Sequence, residues 1–76
     1  MIKTLDIEDV ALNLNKLYDS LDDLKKIKAT NKDQASRIVR LRNKIRQEII
    51  DTENHAEKYF SKKDIEKMMT QLEYGL

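Results

Sequence analysis

The residues whose type and spacing could do chemistry are cations that recur along one flank of a predicted helix. Arg37, Arg40 and Lys44 are three and four residues apart, so they form a row on a helical surface. Such a row could follow a phosphate backbone or an acidic protein surface, or it could simply keep a leucine-rich helix soluble. The full set of candidate residues for an anionic partner or nucleic acid is Lys25, Lys28, Lys32, Arg37, Arg40 and Lys44.

Patterns for catalysis or metal binding are weak in this chain. His55 is the only histidine and lies near the carboxylates of residues 51–57. A di-metal site in a helical bundle needs a Glu-x-x-His pair from each of two helices, and this chain has neither that spacing nor a second copy. The serines have no base partner, and a chain with one glycine has no glycine-rich phosphate loop. We therefore expect a protein that is not an enzyme and has no metal, cofactor or small-molecule substrate.

The charged residues are segregated along the chain although the net charge is only +1. Residues 1–24 hold two basic side chains against six acids, a net charge of −4, and residues 25–46 hold nine against the single Asp33, a net charge of +8. Residues 47–57 return to −4. Because a near-zero sum is a poor electrostatic footprint for nucleic acid, this pattern favours a protein partner.

Three helix-start signals indicate three helices. In the stretch FSKKDI, Ser61 is a typical N-cap, and Phe60 and Ile65 have the spacing of a hydrophobic staple. The stretches LDIEDV and ATNKDQ repeat the pattern with Asp6 and Thr30 as the expected caps. The predicted helices are about 6–28, 31–59 and 62–74.

The first two predicted helices carry apolar stripes that can pack against each other. The first stripe alternates spacings of three and four and consists of Ile7, Val10, Leu14, Leu17, Leu21 and Leu24. The second consists of Ile38, Leu41, Ile45, Ile49, Thr52, Ala56 and Tyr59 or Phe60. A short connection near residues 29–30 would make the helices antiparallel neighbours, with Leu17 opposite Leu41 and Leu14 opposite Ile45.

The third predicted helix is short and can cover only the open half of this hairpin. Its apolar face is formed by Ile65, Met68, Met69 and Leu72. The expected fold class is all-α, a long antiparallel helical hairpin with a short third helix, which together form one three-helix bundle over residues 1–76.

Some apolar residues lie outside these predicted stripes. Leu12 lies nearly opposite the first stripe, and Val39 and Ile50 form a second stripe on the second helix. We expect the third helix to reach Ile50 but not Val39. The candidate partner-binding residues are Leu12, Val39, Ile50, Met68 and Met69, although methionines on a helix face more often fill gaps in a core.

These features predict a non-enzymatic protein-interaction module, a small helical regulator, adaptor or inhibitor that binds a partner protein, or a second copy of itself, through a helix face. The alternative is a nucleic-acid-binding module that uses the basic loop end of the hairpin. The chain has no cysteine, no signal-peptide pattern and no membrane-spanning apolar run, so we expect a cytoplasmic protein. Its bias towards lysine, isoleucine and asparagine is typical of an AT-rich genome, such as that of a phage or a low-GC bacterium.

One resemblance covers the first two predicted helices. LDIEDV at 5–10, KAT at 28–30 and SRIVRLRNKI at 36–45 resemble the small two-helix-hairpin protein of the large ribosomal subunit. The resemblance implies a helical hairpin. The chain lacks that family's aromatic residue and arginine at the end of the first helix and its glycine-containing loop, and it adds a third helix. We therefore do not assign the chain to that family.

Overall fold

Residues 6–75 form three α-helices that share one core. The computed structural model describes residues 6–75. Its helices are α1 (Ile7–Lys26), α2 (Lys32–Ala56) and α3 (Lys62–Tyr74). The predicted all-α, three-helix fold is confirmed. Helices α1 and α2 end two and three residues earlier than predicted, and α3 has the predicted bounds.

Two helices begin at the predicted caps. The carboxylate of Asp6 accepts a hydrogen bond from the Glu8 backbone N–H at 3.0 Å, and Ser61 Oγ accepts one from the Asp64 N–H at 3.1 Å. Each cap has extended backbone dihedrals, as an N-cap residue should. The prediction that Ser61 starts a separate helix is therefore confirmed.

The cap of α2 lies one residue later than predicted. Asn31 Oδ1 accepts from the Gln34 N–H at 2.9 Å, so Asn31 and not Thr30 is the N-cap. Thr30 instead donates to Gln34 Oε1 from its backbone N–H at 3.0 Å and from Oγ1 at 2.7 Å. Asparagine caps at least as well as threonine, and this choice also gives the Thr30 hydroxyl an acceptor.

The chain leaves α2 at a buried alanine. The carbonyl of Ala56, a residue with no exposed surface, accepts from the N–H groups of Tyr59 at 3.0 Å and Phe60 at 2.9 Å. This tight turn brings Phe60 against the core, which also contains Ile65 of α3. Phe60 and Ile65 thus have the placement of the predicted staple and fix the angle at which α3 begins.

Replacing Ser61 by alanine should lower the free energy of unfolding by about 1 kcal/mol, because the Asp64 N–H loses its acceptor. Chemical denaturation followed by circular dichroism measures the change. Ser20→Ala is the matched control, since Ser20 is exposed inside α1, where alanine is the better helix former. An unchanged stability of the Ser61 variant would contradict the capping role.

The core lies where all three helices come together. Its buried members are Val10, Leu14, Leu21, Ile49, Ala56 and Ile65, and Ile7, Leu17, Ile45, Phe60 and Met69 pack against them. Helix α3 lies along α1, and Asn15 Nδ2 of α1 donates to the backbone carbonyl of Met69 at 3.0 Å. This bond fixes α3 on the α1 side of the hairpin.

The register of the hairpin differs from the prediction. The predicted register puts Tyr18 beside Leu41, but Tyr18 Oη donates to Glu53 Oε1 at 2.8 Å, about three helical turns further along α2. Leu41 is 46% exposed and does not form the predicted core pair with Leu17. The predicted pairing of the two stripes is therefore wrong.

The connection between α1 and α2 explains this shift. Ile27 (φ −78°, ψ 125°) and Asn31 (φ −153°, ψ 172°) are both extended, so residues 27–31 do not form a tight reversal. A connection of five residues can span at most roughly 17 Å. Helix α2 can therefore begin well beyond the end of α1 and meet it only along its later turns.

The first half of α2 consequently lies outside the core. We call residues 32–44 the α2 arm. Within the α2 arm only Ile38 and Arg42 are even partly buried, and the core takes residues of α2 from Ile45 onward. A helix gains most of its stability from packing an apolar face. The α2 arm is thus a helical segment with little packing of its own.

Candidate functional site

Three exposed apolar residues lie on α2. Val39 and Ile50 are each 50% exposed and lie on the same side of the helix, about 100° from the residues that face the core. Leu41, on the α2 arm, adds a third exposed apolar side chain. Helix α3 does not cover Ile50, contrary to expectation, because it lies along α1.

The candidate residues for an anionic partner are all exposed. Lys25 is in the last turn of α1, where a cation also interacts favourably with the helix dipole. Lys28 belongs to the connection. The other four, Lys32, Arg37, Arg40 and Lys44, lie on the α2 arm. The six cations thus extend from the last turn of α1 to the middle of α2.

A groove with acidic walls runs between α2 and α3. It has a volume of about 260 Å³. Glu53 and Glu57 of α2 form one wall, and Glu66 of α3 stands on the other beside Lys62. The remaining lining residues are Leu14, Tyr18, Ile65 and Met69. An apolar floor between three glutamates and one lysine suits an occupant that is both apolar and positively charged.

Tyr18 spans this groove from α1. Partial burial raises the pKa of Tyr18 to about 12, with further contributions from the hydrogen bond to Glu53 and from the negative charges of Glu53 and Glu66. All these causes act in one direction, since they disfavour the phenolate. The neutral phenol is the form that holds α1 to α2 at this point.

The Tyr18 hydrogen bond should make stability depend on pH in the alkaline range. A pKa raised by folding gives a stabilisation that is complete below the unfolded value of about 10. It is lost as the pH rises from there through about 12. We expect the difference in unfolding free energy between wild type and Tyr18→Phe to shrink over this interval. Urea denaturation of both proteins measures it, and a difference that stays constant or grows would contradict this role.

The other predicted partner-binding residues are Leu12 of α1 and the two methionines of α3. Leu12 is exposed, and with Met69 and Leu72 it lines a shallow groove of about 420 Å³ between α1 and α3. Leu12 is thus not isolated from α3, as its position opposite the core stripe had suggested. Met69 packs against the core and Met68 is partly buried. Of the predicted partner-binding residues, Val39 and Ile50 are therefore the most accessible pair on one helix.

Arg42 occupies an unusual place at the base of the α2 arm. Its Nε is buried and has no hydrogen-bond partner. Arg42 is partly buried, whereas its neighbour Leu41, which was predicted to face the core, is exposed. The aliphatic part of an arginine can cover apolar surface while the head group reaches towards solvent.

His55 has an aromatic neighbour. Its ring lies edge-on to Tyr59, with the ring centroids 5.6 Å apart. Among residues 6–75 no three histidine or acidic side chains are grouped closely enough to hold a metal ion.

Sequence reasoning missed Leu41 and the contact between Tyr18 and Glu53. One feature of the sequence did indicate that the chain does not reverse tightly between α1 and α2. Helices that reverse tightly often end with a left-handed glycine, and the connection IKATN has none. An extended connection, and with it a shifted register, was the alternative.

No protein-family model matches the chain, and no curated protein or solved structure shows significant similarity to it. None of the helices within residues 6–75 combines the length and the apolar character that crossing a bilayer requires.

Proposed function

We propose that this protein is a non-enzymatic interaction module, a small helical regulator, adaptor or inhibitor that binds a partner protein through one face of α2. This is the side of the helix that exposes Val39 and Ile50, and we call it the outer face of α2. The observation that carries the proposal is the α2 arm. It is helical, yet it has little intramolecular packing and exposes Val39, with Ile50 further along the same face of the helix. Exposed apolar side chains on a weakly packed helix are typical of a surface that a partner covers.

The segregated charge supports the same proposal. A basic α2 arm and a groove walled by Glu53, Glu57 and Glu66 offer a partner two surfaces of opposite sign. Complementary charge mainly sets the orientation and rate of binding, whereas buried apolar contacts provide much of the affinity. A cytoplasmic setting is part of the proposal, because a chain without cysteine suits a reducing compartment.

Affinity capture from a host lysate, with and without nuclease, tests this function. We expect a protein to be retained after nuclease treatment by the wild type and by Glu48→Lys, which changes an exposed residue on the opposite face of α2. The same protein should be lost with Val39→Glu. Capture that nuclease abolishes, or that Val39→Glu leaves unchanged, would count against the proposal.

Nucleic-acid binding is the second candidate, favoured by the exposure of all six candidate cations. A titration of single- and double-stranded oligonucleotides at about 150 mM salt separates the two functions. We expect no binding tighter than roughly 10 μM, a level typical of non-specific contacts. Sub-micromolar binding that is lost when Arg37, Arg40 and Lys44 are changed together to glutamine would establish the nucleic-acid function instead.

A further inference from the structure

We propose that the partner of the outer face of α2 is the α2 helix of a second copy of this chain, packed antiparallel in a two-fold symmetric dimer. This inference rests on the proposed function and specifies its partner. Its basis is the pattern of exposed residues on α2 and the separation of charge along that helix.

The outer face of α2 has a row of positions with coiled-coil spacing, whose apolar members are Val39 and Ile50. We call its members the outer stripe. The row begins at the first residue of α2 and ends at the residue that follows the helix, and its members are separated by four and three residues in turn. They are Lys32, Ser36, Val39, Asn43, Arg46, Ile50, Glu53 and Glu57. Such alternation keeps side chains along one seam of a helix, as in a coiled coil. All are exposed except Glu53, which is partly buried.

The outer stripe is complementary to itself in the antiparallel direction. The spacing of its members is symmetric about the point between residues 44 and 45. A second α2 helix reversed about that point therefore places each member of the stripe opposite another member. Val39 then faces Ile50 of the other copy, which pairs the two apolar members of the stripe. A two-fold axis forms every such contact twice.

The charges agree with this direction. Lys32 faces Glu57 of the other copy. In general the basic first half of each α2 lies against the acidic second half of the other. A parallel dimer would instead bring the two basic arms together, which would be repulsive.

The fold leaves room for a second helix on this side. Helix α3 lies along α1 and leaves the groove between α2 and α3 open. The basic α2 arm of the other copy would run beside this groove, close to Glu53, Glu57 and Glu66. The dimer would thereby give the α2 arm the packing that it lacks within one chain.

Sedimentation equilibrium of the intact protein tests the dimer. We expect a dissociation constant in the micromolar range that rises with salt. Val39→Glu should raise it about a hundredfold, because each of the two symmetric contacts would bury a carboxylate against Ile50. Circular dichroism checks that each variant still folds, as substitution of an exposed residue should permit.

Charge reversal tests the direction of packing. Glu57→Lys alone should raise the dissociation constant about tenfold, since two attractive pairs become repulsive. Adding Lys32→Glu in the same chain should restore the wild-type value. Glu48→Lys is the matched control, with an equal charge change on the opposite face, and it should leave dimerisation unchanged.

The outcomes separate this inference from the proposed function. A monomer at all concentrations up to about a millimolar would overturn the dimer, as would a dimer that Lys32→Glu fails to restore in the Glu57→Lys background. The proposed function survives either result if Val39→Glu still abolishes capture of a different protein. A dimer with the expected pattern and no captured protein would support the inference and restrict the function to self-association.

Discussion

Replacing Leu14 by alanine should destabilise the protein by about 2–5 kcal/mol. Leu14 is fully buried, packs in the core and also lines the groove between α2 and α3. Its loss would leave a cavity where α1 meets both other helices. A domain of this size has a total stability of about 4–11 kcal/mol, so we expect a large fall in melting temperature or an unfolded chain.

Chemical denaturation measures the change, and Leu12→Ala is the matched control. Leu12 is the same residue type in the same helix, but it is 46% exposed, so its truncation should cost less than about 1 kcal/mol. Equal losses for the two variants would show that Leu14 is not the centre of the core.

Replacing Ile65 by aspartate should release α3 from the rest of the molecule. Ile65 is the one residue of α3 in the buried core, and its side chain lies near Glu53 and Glu66 at the groove. An unpaired carboxylate there costs at least about 3 kcal/mol, through both desolvation and repulsion. A free helix of 13 residues is marginal in water, so α3 should unfold when it detaches.

Backbone chemical shifts residue by residue provide the measurement. In the Ile65→Asp variant the residues of α3 should lose their helical shifts. Leu72→Asp, a change in the same helix at a position with 38% exposure, should keep them. Helical shifts that persist throughout α3 of the Ile65 variant would mean that α3 does not depend on this contact.

Local signals in the sequence predicted the helices well. The caps at Asp6 and Ser61 were recognisable because a short polar side chain before an apolar run can satisfy free amides in only one way. The middle cap was misplaced by one residue because Thr30 and Asn31 are both competent caps, and only the position of the Gln34 side chain distinguishes them.

The register of α1 against α2 could not be read from the stripes. A repeat of three and four residues matches itself again after whole turns, so sliding one helix along the other keeps apolar residues in contact. The five-residue connection at 27–31 is long enough to allow the observed offset. The register also affected the prediction of the candidate site. Val39 and Ile50 were identified because they lie outside the core stripe, whereas Leu41 was assigned to the core through the wrong register.

Photo-crosslinking in living host cells tests most directly the claim that the outer face of α2 binds protein. A benzophenone amino acid would replace Val39 or Ile50, with Glu48 on the opposite face as the control position. We expect nuclease-resistant protein crosslinks from positions 39 and 50 and none from 48, whether the captured chain is a second copy or another protein. Crosslinks to nucleic acid, equal crosslinking from 48, or no crosslink from 39 and 50 would contradict the account.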